Sequence, residues 1–273
     1  MMKVGFIGGG KMGEAIVADL VRSRILNPHD VYVCEISEDR RRLLKRRHGV
    51  NVFADNSLLL GVVDVVFLAV KPQALDAVLA ETAEAIHEEH LVISIVAGKR
   101  LAHIESLLPG AKVVRVMPNL AATISEGMSV FCMGGRTTVE DRKRAVTLLS
   151  CFGQVLELPE EHFDAVTALS GSGPAFFAHF LELMVQGGES LGLSRKDAEL
   201  LAEQTMLGTA MLLAKGEFGA RELIDSVSSA KGTTVAGMGV LTAAPLKEAI
   251  EATLAAAAKR SEELSEAHSS PRP

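Results

Sequence analysis

The hexapeptide Gly8-Gly9-Gly10-Lys11-Met12-Gly13 spaces its glycines as G-x-G-x-x-G, between the strand-like run Val4 to Ile7 and an amphipathic helical period. That is the context in which the motif binds a pyrophosphate. Gly8 permits the tight turn, Gly10 lets the backbone approach an anion, and Gly13 lets helix and strand pack closely. Lys11 and Met12 open the helix, whose first N–H groups have no partner inside it and face the anion. Dinucleotide binding is the first expectation. Glu35 lies 22 residues beyond Gly13, after the second strand-like run, where it can accept hydrogen bonds from both ribose hydroxyls of NAD. The residues after it pull the other way, because Ser37, Arg40, Arg41 and Arg42 could hold the 2′-phosphate of NADP. Arg40 to Arg47 contains six basic side chains in eight, a run that a solvated helix face explains more simply. The reading leans slightly to NADPH or dual use and leaves NADH open.

Two other polar clusters stand out. Ala168-Leu169-Ser170-Gly171-Ser172-Gly173-Pro174 is not a G-x-S-x-G elbow and follows no strand, which argues against a serine hydrolase. It reads either as a small-residue turn before a helix starting at Pro174 or as a close approach of backbone to a ligand. Ser228-Ser229-Ala230-Lys231-Gly232-Thr233-Thr234 puts hydroxyls and a glycine ahead of a helix. It is either a cap on that helix or a cradle for a carboxylate. The eight histidines are scattered without H-E-x-x-H or cysteine partners at ligand spacing, so no metal site is expected.

Parallel-sheet elements must position the first of these groups. Strands are expected at Lys3 to Ile7, Val31 to Cys34, Val50 to Phe53, Val62 to Val70, Leu91 to Val96, Lys112 to Met117, Ser129 to Met133 and Gln154 to Leu158. Several are apolar without alternation, as strands buried on both faces are. Met12, Ile16, Val17, Leu20 and Val21 form the stripe that packs a crossover helix on a sheet. After Pro159 the β-branched runs give way to Ala/Leu/Met/Glu segments that read as all helical to Leu264, with Ser194 opening a helix that runs to Lys215 and stops at Gly216. Helices apolar over so much of their circumference belong between other helices or in a subunit interface. The expected architecture is α/β: a Rossmann-type dinucleotide-binding domain over residues 1–160, an all-α dimerisation and substrate domain over 161–264, and a disordered tail over 265–273.

Composition narrows the function classes. The 273 residues carry 28 basic and 34 acidic side chains, a net charge of −6, with 48% hydrophobic residues. That is an ordinary globular composition without the basic excess that nucleic-acid binding draws on. The longest apolar run, Leu58 to Val70, contains Asp64 and is too short to span a bilayer, and no signal peptide is visible ahead of the first strand. Three cysteines, Cys34, Cys132 and Cys151, form no C-x-x-C pair and fit a reducing cytoplasm.

Taken together with Leu68-Ala69-Val70-Lys71-Pro72-Gln73, Arg115-Val116-Met117-Pro118-Asn119, Ala168 to Phe176 and Gly232-Thr233-Thr234, the fingerprint gives five motifs in one order across both halves. In these the chain, from Val4 to about Leu264, resembles the pyrroline-5-carboxylate reductases. The resemblance implies reduction of the C=N bond of 1-pyrroline-5-carboxylate to proline by NADPH or NADH, the last step of proline biosynthesis. It implies that Asn56 contacts the adenosine side of the cofactor, that Val70, Lys71 and Pro72 line its middle, and that Met117, Pro118 and Asn119 lie near the nicotinamide. It further implies an interlocked homodimer, able to assemble further, in which Ser229, Gly232, Thr233 and Thr234 hold the substrate carboxylate and Glu217 is an acidic group near the site. Three positions in two motifs depart from the family: Ser-Pro-Gly-Gly-Thr-Thr reads Ser229-Ala230-Lys231-Gly232-Thr233-Thr234 here, and the threonine after Met-Pro-Asn is Leu120. Lys231 brings a charge beside the substrate loop. The alternatives are a reductase of a related cyclic imine or hydroxyacid, and a non-catalytic dinucleotide-sensing regulator.

Overall fold

Val65–Leu68 and Leu91–Ser94 carry almost no polar residue, and in the computed structural model, which describes residues 2–267, every residue of both is buried. They are the central strands β4 and β5 of an eight-stranded sheet. The others are β1 (Val4–Ile7), β2 (Val31–Cys34), β3 (Asn51–Phe53), β6 (Lys112–Pro118), β7 (Gly127–Met133) and β8 (Gly153–Glu157). The order is β3-β2-β1-β4-β5-β6-β7-β8. The strands through β6 are parallel, in register such as Val4↔Val31 and Val4↔Val65, while β7 runs antiparallel to β6 and β8 parallel to β7. All eight strands expected from the apolar runs are present, with ends shifted by a few residues.

Crossover helices cover the sheet: α1 (Lys11–Arg22), α2 (Glu38–His48), α3 (Asn56–Leu60), α4 (Leu75–Thr82), α5 (Leu101–Leu107) and α6 (Val139–Leu149). On α1 the expected stripe is the inward face, with Ile16, Val17 and Leu20 fully buried against Val4, Phe6 and Val33. Phe6 and Phe67 stack across β1 and β4 with ring centroids 4.7 Å apart.

This compact unit runs through Ser172 and takes back residues 256–267. The cause is burial. Phe163, in α7 (Phe163–Val166), is 1% exposed among Ile7, Leu68 and Val130, and the Arg115 guanidinium sits 4.6 Å over its ring. Arg115 is itself buried and paired with Glu160 at 2.7 Å, and the same carboxylate accepts from the Leu101 N–H. The returning chain is the end of α12 (Leu246–Ala267), where Ser261 Oγ donates to Asp164 Oδ1 at 2.6 Å. Helix α12 therefore continues past Leu264, where a disordered tail is expected, and Ser265 is buried. Residues 268–273 of that tail lie outside the described residues.

The second unit, Gly173–Ala255, is helical. It holds α8 (Gly173–Ser190), α9 (Arg195–Ala214), α10 (Ala220–Ser226), α11 (Thr233–Ala243) and the first turns of α12. The Ser194 side chain caps α9 by accepting from Asp197 N, and Gly216 closes the helix at φ +72°. Between α8 and α9 lies an open groove of about 730 Å³ lined by Phe177, Phe180, Met184, Leu201, Thr205 and Met206 among others. Phe177 is 64% exposed, Met184 57% and Leu201 56%. An apolar surface of this kind is unfavourable in water and calls for a partner. In sedimentation at micromolar concentration the protein is expected to run as a dimer or larger, and the pair Met184→Glu and Leu201→Glu to yield monomers. A wild-type monomer would contradict this.

Candidate functional site

Three strand ends meet at Gly8. Its N–H donates to the Cys34 carbonyl at the end of β2, at 2.9 Å, and Ala69 N beyond β4 donates to the Ile7 carbonyl at 2.9 Å. The sheet order reverses between β1 and β4, which is where open α/β sheets bind their ligands. The three glycines of the fingerprint have separate reasons. Gly8 has φ +103°, and a Cβ there would come within 2.6 Å of the Ala69 carbonyl oxygen. A Cβ on Gly13 would come within 2.6 Å of the Gly8 carbonyl oxygen, so α1 could not pack so close. Around Gly10, by contrast, an added Cβ would meet nothing within 4 Å. The protein leaves space there that its own packing does not use.

Gly10 is also the N-cap of α1, and no side chain caps that end. The N–H groups of the first turn, including those of Lys11 and Met12, thus face the open space with the positive end of the helix dipole behind them. A cradle lined by backbone donors fits a pyrophosphate, so these residues suit a dinucleotide. The turn is held from outside by two charged side chains. The Gly9 N–H donates to Glu35 Oε2 at 2.9 Å, and the Gly9 carbonyl accepts from Arg40 Nε at 3.2 Å. Arg40 is held in turn by Glu14 at 2.8 Å. Burial alone would push the Glu14 carboxyl up, but hydrogen bonds from Arg40, His48 and Arg47 outweigh it and hold it below the ordinary range.

The remaining expected cofactor residues of this unit take the following places. Ser37 caps α2 by accepting from Arg40 N, and Arg41 donates to the Glu35 and Ile36 carbonyls. Asn56 opens α3, and its Nδ2 lies 3.3 Å from Glu81 Oε1. Val70, Lys71 and Pro72 follow β4 into a single 3₁₀ turn, Pro72–Ala74. Met117 and Pro118 end β6. Asn119 braces that end, with Oδ1 accepting from Met128 N at 3.2 Å and Nδ2 donating to Ser170 Oγ at 3.3 Å.

Ser170 is a partner that the sequence motifs do not single out for this role. Its segment is not the turn that the small residues suggest but a π-helical stretch, Thr167–Gly171. A π-turn adds a residue to a helix and often marks a functional site. Here it seats Gly171 against Met117, whose Cε would lie 2.6 Å from a Cβ at 171. Burial pushes the thiols of Cys34 and Cys132 up to about 11 and about 12, so neither supplies a thiolate nucleophile at neutral pH.

In the helical unit, Glu217 sits exposed in the link between α9 and α10, and Ser229 to Gly232 form the loop ahead of α11. The N-cap of α11 is Gly232, and no side chain caps it, so the serines and threonines of the cluster are not spent as a cap. Thr233 and Thr234 are the first two helical residues. The turn is close at Gly232, where a Cβ would meet the rotatable Ser229 Oγ and lie 3.0 Å from the Ser229 carbonyl oxygen. Lys231 adopts φ +60°, a left-handed conformation uncommon outside glycine. The arrangement offers backbone N–H groups and hydroxyls at a helix start, a set of donors suited to a carboxylate.

Comparison with known proteins adds to this geometry. Residues 160–264 match the family described as pyrroline-5-carboxylate reductase dimerisation, and residues 3–98 match NADP oxidoreductase coenzyme F420-dependent. A pyrroline-5-carboxylate reductase of Methanosarcina acetivorans is 41% identical over 96% of this chain and 97% of its own length. One from Arabidopsis thaliana is 37% identical over 97% and 96%. The solved reductase of Coxiella burnetii superposes with a TM-score of 0.93 at 32% identity, covering 97% of this chain and 98% of that one. The Plasmodium falciparum pyrroline carboxylate reductase, solved with NADP bound, gives 0.85 at 27% identity, with 97% and 98% covered.

Gly10→Val tests the cradle. The space at Gly10 predicts a fold that tolerates the substitution, and a side chain there fills the place of the pyrophosphate. The variant should keep the wild-type melting temperature and lose dinucleotide binding by at least about a hundredfold, the effect of about 2.8 kcal/mol. Unchanged affinity in a fluorescence titration would show that the turn is only structural.

Proposed function

The chain belongs to the pyrroline-5-carboxylate reductase family, and from that premise we propose how its own residues divide the work of the reaction. It is an NAD(P)H-dependent oxidoreductase that reduces 1-pyrroline-5-carboxylate to proline, and its helical region makes a homodimer. The observation that carries the residue assignment is the pairing, in one chain, of an uncapped and open anion cradle at Gly8 to Gly13 with a second uncapped helix start at Gly232.

The bound dinucleotide supplies the hydride, two electrons that go to the carbon of the C=N bond. What the protein must supply is binding and orientation. The N–H groups of Gly10, Lys11 and Met12 hold the pyrophosphate, and Glu35 faces the adenosine ribose. Asn56 and the Val70-Lys71-Pro72 segment border the dinucleotide. Met117, Pro118 and Asn119, braced through Ser170, line the nicotinamide end. Ser229, Thr234 and the N–H groups of Gly232 and Thr233 hold the substrate carboxylate. If the imine enters already protonated, hydride addition gives the secondary amine directly and no side chain need donate a proton in that step. Glu217 then acts through charge, favouring the iminium over the neutral imine. Three free cysteines, two of them buried, support a place in the reducing cytoplasm.

Consumption of NAD(P)H with pyrroline-5-carboxylate, with proline as the product, is the direct assay, and its absence would defeat the assignment. Thr234→Ala removes one donor to a carboxylate, a bond worth about 1.5 to 3 kcal/mol. That corresponds to a roughly tenfold to hundredfold loss in kcat/KM, with dinucleotide Kd unchanged. If kcat/KM holds within twofold, the carboxylate lies elsewhere.

A further inference from the structure

At the end of β2 the chain fixes one anionic side chain and turns the two arginines nearest to it in sequence toward backbone carbonyls. We propose that Glu35 sets the nucleotide preference of this enzyme and that the preference is for NADH over NADPH. The inference rests on the dinucleotide reading of the Gly8 to Gly13 turn and goes one step past it, to which dinucleotide.

Glu35 does not float. Oε2 accepts from the Gly9 N–H at 2.9 Å and Oε1 from the Ser37 N–H at 2.9 Å. Its own N–H donates to the Phe53 carbonyl at 3.2 Å, which ties its backbone to β3. A carboxylate has about four lone-pair sites, so with two used it can still accept from a ribose diol. A 2′-phosphate has no hydroxyl to donate there and brings about 1.5 to 2 further negative charges beside the carboxylate. Like charges at such range in a partly desolvated site repel strongly.

Compensation would have to come from Arg40 or Arg41, and both are committed. Arg40 donates to the Gly9 carbonyl and pairs with Glu14. Turning it toward a phosphate would release the turn that receives the pyrophosphate and take a donor from Glu14. Arg41 donates to the Glu35 carbonyl at 2.5 Å and the Ile36 carbonyl at 2.8 Å. It closes the β2 to α2 connection, and moving it would leave those carbonyls without that donor. Of the other two groups that suggested a phosphate, the Ser37 oxygen accepts from Arg40 N as the cap of α2, and Arg42 pairs with Glu38. NADPH therefore binds, but more weakly.

The test is a set of dissociation constants for NADH and NADPH, read from nicotinamide fluorescence on the purified enzyme without substrate. Wild type is expected to bind NADH at least about tenfold more tightly, and rising salt should narrow the gap because repulsion is screened. Glu35→Gln and Glu35→Ser, each checked by melting temperature, should move the ratio toward one by favouring NADPH relative to NADH, on top of any common loss from the freed Gly9 N–H. Equal or tighter NADPH binding by wild type would overturn the proposal, as would variants that weaken both nucleotides by the same factor, which would make Glu35 only a brace for Gly9. A wild-type NADPH preference abolished by Arg41→Ala would assign the phosphate to Arg41 instead. Failure of either nucleotide to bind would bring down the dinucleotide reading itself, a result distinct from equal binding of both.

Discussion

The peptide unit of Gly9 is held at both polar ends, its N–H by Glu35 and its C=O by Arg40. Everything at the nucleotide end follows from that clamp. A glycine turn has great conformational freedom when unfolded, and a loose one would pay the ordering entropy at the moment of binding. Here the ordering is done in folding, by one acid from the end of β2 and one base from α2. Each is itself anchored, Glu35 to the Ser37 N–H and Arg40 to Glu14. The donors of the first turn of α1 are left over because no side chain reaches them.

The two units solve different problems with the same residue economy. The nucleotide unit buries its apolar residues on both faces of a sheet, and β4 and β5 have no exposed position. The helical unit keeps large apolar side chains at its surface, and α8 and α9 leave a groove between them instead of closing it. Hydrophobic burial is the main favourable term in folding, so a unit with this surface gains its stability from association as well as from its own packing. That matches a region related to a dimerisation family.

Much of this was legible in the amino-acid sequence because burial writes itself into pattern. The eight strands are short apolar runs, and α1 and α9 announce themselves by stripe, cap and closing glycine. Strand direction is not encoded that way, and the reversal of β7 against β6 leaves no trace in periodicity. The π-helical stretch at Thr167–Gly171 was hidden for a related reason. Its small residues have turn-like composition, and only their packing on Met117 and the hydrogen bond from Asn119 to Ser170 explain why the backbone stays helical. The burial of Phe163 is equally hidden, because the residue follows a proline and two acids that look like a linker, yet its ring is inside the core. Of the candidate site, the glycines could be read from spacing, whereas Ser170 needed the fold.

Charge was the least readable property. Arg40 to Arg47 reads most simply as a solvated basic face, with a phosphate site as the alternative. In the structure Arg40, Arg47 and His48 converge on the single carboxylate of Glu14, and Arg42 pairs with Glu38 one turn away. The three that meet at Glu14 join α1 to α2, holding the helix that carries the anion cradle against the helix that supplies its clamp. A residue spent on such a brace is not free to recognise a phosphate, because withdrawing it uncovers a partly buried carboxylate. The number of cations near a ligand therefore says less about its recognition than the number whose existing partners can spare them.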